Sequence, residues 1–181
     1  MSIIQKRKLL RLHNFDYSCP GAYFITFCTH GRKCILSKIT SKTTDSYGAQ
    51  IITPVLTLSD FGNIVSDIIK TIPERFDVKL NHYVIMPNHI HLIVDINFNA
   101  LTDSVESYDQ SEIYRSVISK IVGFIKMNSS KELRKTFSIK NVWQRGYHDH
   151  VIRNRDDYIA IAEYINDNPK RWFYDKYYIS E

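Results

Sequence analysis

Two histidines separated by one apolar residue, His89-Ile90-His91, form the sharpest local pattern in the chain. In a strand, side chains at i and i+2 project from the same face. The two imidazoles would then stand side by side, at a spacing suited to one metal ion, while Ile90 faces a core. A strand histidine is more commonly just a hydrogen-bonded residue, and the pair's place after a Pro87-Asn88 turn leaves both readings open. A second pair, His148-Asp149-His150, has the same spacing, but its charged middle residue would have to leave the core face. His148 therefore reads as a surface residue. His150, beside the apolar Val151-Ile152 step, reads as a group that could support a ligand or touch DNA. Further on, Tyr164 and Asn168 stand four residues apart, on one helix face and about 6 Å of rise from each other. Taken alone, Tyr164 is an ordinary packing residue and Asn168, before Pro169, an ordinary helix stop.

The surrounding sequence must supply the elements that hold these side chains. Gly21 to His30 is rich in β-branched and aromatic residues and predicts a first strand. Residues 37–50 are polar and Ser/Thr-rich, an insertion that reads as a surface excursion or hairpin ending in Gln50-Ile51-Ile52-Thr53. Ser59 or Asp60 can cap a helix whose apolar face is Ile64, Ile68 and Ile72 and which Pro73 ends. Strands are expected over 78–86 and His89–Ile96, a polar loop over 97–110 and a second helix over 111–128. A short strand is expected near His150–Arg153. A last helix starts at Asp156 or Asp157, with Tyr158, Ala162 and Ile165 as its core face, and closes at Pro169. The order β-α-β-β-α-β-α predicts an α+β fold, an antiparallel sheet flanked by helices.

The chain has 181 residues, which argues for one domain spanning 1–181. Apolar residues at 44% and charged residues at 24% exclude global disorder. Lys+Arg 24 against Asp+Glu 19 gives +5, a balance that favours polyanionic partners without proving them. Residues 1–15 carry four bases and no acid, either a solvated tail or a basic arm. Three cysteines without CxxC spacing fit a reducing cytoplasm better than a disulfide framework. No apolar run approaches a membrane span, so no membrane partner is expected. Residues 126–171 hold ten Lys/Arg against six Asp/Glu, interleaved with Trp143, Tyr147 and Trp172. That suits phosphate contacts and base stacking, or equally a solvated face over core aromatics.

The stretches MPNHIHLIV, VWQRGYHDHVIRN and AEYINDNP, in that order, resemble the REP-associated tyrosine transposases. These are relatives of the single-tyrosine HUH transposases of insertion sequences. The resemblance covers roughly residues 16–174 and implies a ferredoxin-like HUH architecture. It places the nucleophile on Tyr164 and a Mg²⁺ or Mn²⁺ ion on His89, His91 and Asn168. It gives Trp143, Gln144, Arg145, His150, Arg153, Asn154 and Arg171 as DNA-binding positions. The implied activity is cleavage and rejoining of single-stranded or hairpin DNA through a 5′-phosphotyrosine. The implied setting is a bacterial cytoplasm, at the nucleoid, as monomer or homodimer.

The chemistry matches the residue types. A phenol with a reference pKa near 10 is a weak nucleophile and needs a polarised phosphate in line with it. Two imidazoles and an amide oxygen leave open positions on a divalent ion for the phosphate oxygens. No Gly-rich phosphate loop is present, and a stored phosphotyrosine bond would need none. The rivals are a catalytically silent DNA- or RNA-binding module on the same fold and a metal hydrolase that uses water instead of Tyr164.

Overall fold

A computed structural model describes residues 21–46, 49–96, 110–139 and 141–178. The expected basic arm, residues 47–48 and all but the last residue of the expected 97–110 loop lie outside the described residues, and Gln110 belongs to a helix instead. In chain order the elements are strands β1 (Gly21–Cys28), β2 (Ser37–Ser46) and β3 (Ala49–Leu58), helices α1 (Asp60–Lys70) and α2 (Ile72–Phe76), and strands β4 (Val78–Ile85) and β5 (His89–Ile96). Then come helix α3 (Gln110–Phe137), strand β6 (His148–Ile152), helix α4 (Arg155–Asp167) and a 3-10 segment, Asn168–Tyr174. The main sheet is antiparallel, with order β4-β5-β1-β6, and β2-β3 form a separate two-stranded sheet. This is the α+β architecture expected, with one addition: the polar insertion is the first half of a full hairpin that runs on to Leu58.

Strand alternation divides the molecule into two layers. Tyr23, Ile25 and Phe27 of β1 and Ile90, Leu92, Val94 and Ile96 of β5 face α1 and α3, where Val65, Ile69, Ile121 and Ile125 complete the main core. Their removal from water is the principal stabilising term, at about 25 cal/mol per Å² of apolar surface. The other face carries Phe24 and Ile93, packed under Ala162 and Ile165 of α4. His89 and His91 share the parity of Ile93 and so look toward α4 rather than into the larger core. β1 lies beside β5 with Thr26 opposite His91 and Cys28 opposite His89.

Several element boundaries differ from the sequence expectation. Ser59 is the α1 cap, its hydroxyl accepting from Gly62 N at 3.1 Å. The buried face of α1 is Val65, Ser66 and Ile69, with Ile64 and Ile68 only partly covered. Ile64 and Ile68 therefore lie on the flank of the contact face, while Ile72, at the start of α2, is fully buried. Pro73 does not end that helix but sits in the first turn of α2, where its missing N–H costs nothing. α3 continues nine residues past the predicted end because Ser129 and Leu133 keep a buried stripe alive. It stops where Ser138 adopts φ 56°. β6 begins two residues earlier than expected, and α4 begins at Arg155 on an Asn154 cap.

Candidate functional site

The β4–β5 connection is a buried turn. Met86 N donates to His89 O at 2.9 Å, Thr29 N to Asn88 O at 2.9 Å and Leu36 N to Pro87 O at 3.0 Å. These bonds fix the start of β5 and hence the direction of both imidazoles, whose ring centroids lie 4.6 Å apart. Asn88 orients the first. Its Nδ2 donates to Tyr177 O at 2.7 Å and to Arg32 O at 3.2 Å, so its Oδ1 is an acceptor. His89 Nδ1, at 2.9 Å from that oxygen, must carry the proton. His89 Nε2 is left as a lone pair with no partner. The Nδ1 of His91 meets Thr26 Oγ1 at 2.7 Å, and its Nε2 faces the Tyr164 hydroxyl at 3.4 Å.

Burial, then the positive charge of Lys176 and Arg32, lowers the His89 pKa to about 3, while the Asn168 amide works weakly the other way. Burial, followed by His89 and Lys176, holds His91 well below the ordinary range. Both rings are thus neutral at pH 7 and present the basic nitrogens that a metal needs.

α4 delivers Tyr164 and the turn after it delivers Asn168. Ala162 and Ile165 press the helix onto the sheet, which leaves Tyr164 half-buried, 5.2 Å ring to ring from His91 and edge-on to Phe24 at 6.1 Å. Burial and Asp175 raise the Tyr164 pKa, and the Asn168 side chain opposes that shift. Asn168 caps α4 at 1% exposure, and its Oδ1 and Nδ2 make no hydrogen bond of good geometry, although the amide lies near enough to His89 and Tyr164 to act on both. Burying an amide unpaired is costly, so three orphaned atoms in one place, His89 Nε2 and both Asn168 atoms, fit a site built for a guest. Among the described residues no group of three or more His, Cys, Asp or Glu could hold a metal. The donors gathered here are two imidazoles and an amide.

Two contributors were not foreseen from sequence. The segment after Asn168 folds back over the site, so that the Tyr177 ring lies tilted against His89 with centroids 4.5 Å apart and Trp172 lies 6.0 Å away. The β2–β3 hairpin supports this cover, since Ile39 and Leu56 pack into the cluster of Cys28, Met86, Trp172 and Tyr177. In the sequence Thr26 is only one position of the β1 strand. Its role follows from the β1–β5 register, which only the fold reveals.

The expected DNA-contacting residues divide. Gln144, Arg145, Arg153 and Arg171 are exposed. Asn154 instead caps α4, accepting from Asp157 N at 2.8 Å. His150 pairs with Asp157 at 3.1 Å beside that cap. Trp143 packs edge-on to Phe27 at 5.2 Å and donates to Ser129 Oγ at 2.9 Å. Trp172 is buried and the Tyr147 hydroxyl is held by Ser119 at 2.9 Å. These aromatic side chains serve packing first, so the basic region is less of a stacking platform than its composition implies. His148 is exposed, as expected, and stands opposite Thr26 on the edge strand, on the same sheet face as the imidazole pair.

No family model matches the chain. An uncharacterized protein of Haemophilus influenzae (strain ATCC 51907 / DSM 11121 / KW20 / Rd) is 31% identical over 183 residues, covering 97% of this chain and 95% of the relative. The chain belongs to the family of that protein. Family membership carries no activity, since the relative has none assigned. Among solved structures, a REP-associated tyrosine transposase bound to a REP hairpin superposes with a TM-score of 0.56 at 18% identity, over 92% of this chain and 74% of that one. The chain therefore has a transposase-like fold, an antiparallel sheet flanked by helices. No helix among the described residues is long and apolar enough to cross a membrane.

Proposed function

We propose that this protein is a metal-dependent single-tyrosine transposase that cleaves and rejoins single-stranded or hairpin DNA. The observation that carries the reading is the meeting of Tyr164 with His91 at 3.4 Å, beside the unpartnered His89 Nε2 and Asn168 amide. The shared fold with a hairpin-bound transposase supports the same substrate class. His89, His91 and Asn168 would hold Mg²⁺ or Mn²⁺. When bound, such an ion supplies Lewis-acid polarisation of the scissile phosphate.

The chain's own residues do the rest. Asn88 holds the Nδ1 proton of His89 and Thr26 engages Nδ1 of His91, so both Nε2 atoms are turned toward the reaction centre. α4 aims the Tyr164 oxygen along that side of the sheet. Its raised pKa keeps the phenol protonated at rest, so proton loss accompanies attack. The tyrosine oxygen forms a bond to phosphorus as the bond to the 3′ oxygen breaks, and that oxygen leaves as a 3′-OH. A second 3′-OH attacks the 5′-phosphotyrosine, returns the phenol and joins the strands.

The test is incubation with hairpin oligonucleotides and Mn²⁺ or Mg²⁺, followed by a denaturing gel. A protein–DNA adduct should form with wild type and map to Tyr164. Tyr164→Phe should lose adduct and cleavage together while hairpin binding persists. The hydroxyl makes one long contact, so stability should move by no more than about 1 kcal/mol. Cleavage by the Phe variant would instead favour a water-using hydrolase. The full burial of His89 favours a second reading, a binding module that never cleaves. Hairpin binding without adduct under any divalent metal would select it.

A further inference from the structure

The segment between α3 and β6 crosses the end of β1 and is tied on two sides. On one side His30 N donates to Val142 O at 2.8 Å, Gln144 N donates to Cys28 O at 2.9 Å, and Trp143 forms a bridge with Thr29. On the other side stands Lys126 of α3. Its Nζ donates to Gln144 O at 2.9 Å and to Gly146 O at 2.5 Å, and lies 5.3 Å from the centre of the Phe27 ring. Between those two residues in sequence is the exposed Arg145, and Gly146 takes φ 81°, a backbone state that residues with a β-carbon rarely adopt.

Lys126 differs from the ion-paired lysines of the surface. Lys70 and Lys170 each hold an aspartate, at 2.9 Å and 2.6 Å, and a carboxylate keeps an ammonium charged. Lys126 is half-buried, and its hydrogen-bond partners are two neutral carbonyls. Withdrawal from water lowers its pKa to about 8, against a weaker opposing effect of Cys28. An amine so placed is a nucleophile near neutrality. At pH 8 about half of it carries a free lone pair, against roughly one in 250 for a lysine at the reference value.

We propose that Lys126 is an acylation site, modified by small acyl phosphates, and that the modification releases Arg145 and Gly146 from α3. The neutral amine attacks the carbonyl carbon of the donor. A nitrogen–carbon bond forms, the bond from that carbon to the phosphate oxygen breaks, inorganic phosphate leaves, and the extra amine proton passes to water. Arg145, between the amine's two partners in sequence, gives the anionic donor a cation to approach. The product amide carries no charge and has one N–H where the ammonium had three, so it cannot serve both carbonyls. Gln144 keeps its bond to Cys28, so the loosening falls on the next two residues. Neither the reaction nor the release depends on the catalytic reading of Tyr164.

The experiment treats the whole chain with acetyl phosphate at pH 8 and follows each lysine by peptide mass spectrometry. Lys126 should be acetylated about fivefold or more faster than Lys120, Lys131 and Lys135, which are exposed on the same helix. A rate at Lys126 equal to or below theirs overturns the site. In parallel, an arginine-specific endoproteinase reports on the segment through cleavage after Arg145. That cleavage should speed up about threefold or more as Lys126 fills with acetyl. Lys126→Arg, which keeps the charge and the N–H donors, should stay slow after the same treatment. Cleavage that ignores Lys126 occupancy, or that speeds up equally in Lys126→Arg, overturns the release. If the arginine variant does not fold, the wild-type time course decides alone. Proteolysis that tracks acetylation of Lys131 or Lys135 rather than Lys126 then sinks the proposal.

Discussion

Replacing Asn88 by alanine removes more hydrogen bonding than any other single change near the imidazoles. His89 loses its acceptor, and the carbonyls of Arg32 and Tyr177 lose their donor. Each group sits at or near the buried turn, where an unpaired polar atom costs about 1–3 kcal/mol. Asn88→Ala should therefore lower unfolding stability by about 3 kcal/mol in urea titrations. Asn88→Asp keeps the acceptor and loses the donors, so it should fall between the two. A change under about 0.5 kcal/mol for the alanine variant would show that Asn88 is incidental. The same residue shows how little a turn signal tells. Pro87-Asn88 marked a reversal in the sequence, but the amide's partners come from Arg32 and Tyr177, which only tertiary closure brings there.

At the scale of elements, two glycines on helices should respond in opposite directions to alanine. A Cβ on Gly62 would sit 2.0 Å from the Leu36 carbonyl oxygen, the atom that also accepts from Ser59 N. Gly123 of α3 is exposed and has open space around the same position. Gly62→Ala should destabilise by about 2 kcal/mol through overpacking, whereas Gly123→Ala should stabilise by about 0.5–1 kcal/mol through helix propensity. Thermal melts of the two variants check both signs. Periodicity located β1, β4, β5 and α4 because each has one buried face or a clean apolar run. It misphased α1 because Ile64, Ile68 and Ile72 outshine Val65 and Ile69, and it cut α3 short because Ser129 is a buried polar residue. The histidine pair and the tyrosine helix were legible as local patterns. Their meeting was not, nor was the return of Tyr177, since neither Thr26 nor Tyr177 lies within 60 residues of His89 in any pattern that spacing could expose.

For the molecule as a whole, the buried imidazoles set an acid limit. In the unfolded chain both titrate near 6.5, whereas in the fold His89 falls to about 3 and His91 well below its usual range. Between those values the unfolded chain binds more protons, so unfolding stability is complete above about pH 6.5 and declines as pH falls. Scanning calorimetry of the metal-free protein should show the melting temperature dropping steadily from pH 7 to pH 4. A His89→Gln, His91→Gln double variant should have a flatter acid limb. An equal slope in both proteins would place the acid sensitivity elsewhere.

The alternation of β5 leaves this strand almost no room for insertion or deletion. Even-numbered residues from Ile90 to Ile96 build one layer, and His89, His91 and Ile93 build the other. Removing one residue anywhere between His89 and Ile93 would trade the two sets, driving imidazoles into the hydrocarbon layer and isoleucines toward Tyr164. A deletion scan scored by soluble expression should show a deep minimum across this strand. The β2–β3 hairpin, whose strands pair only with each other among the described residues, should tolerate paired deletions taken symmetrically from its two strands. A lineage carrying this fold can lengthen or shorten that hairpin in steps of two, but it can alter β5 only by exchange of like for like.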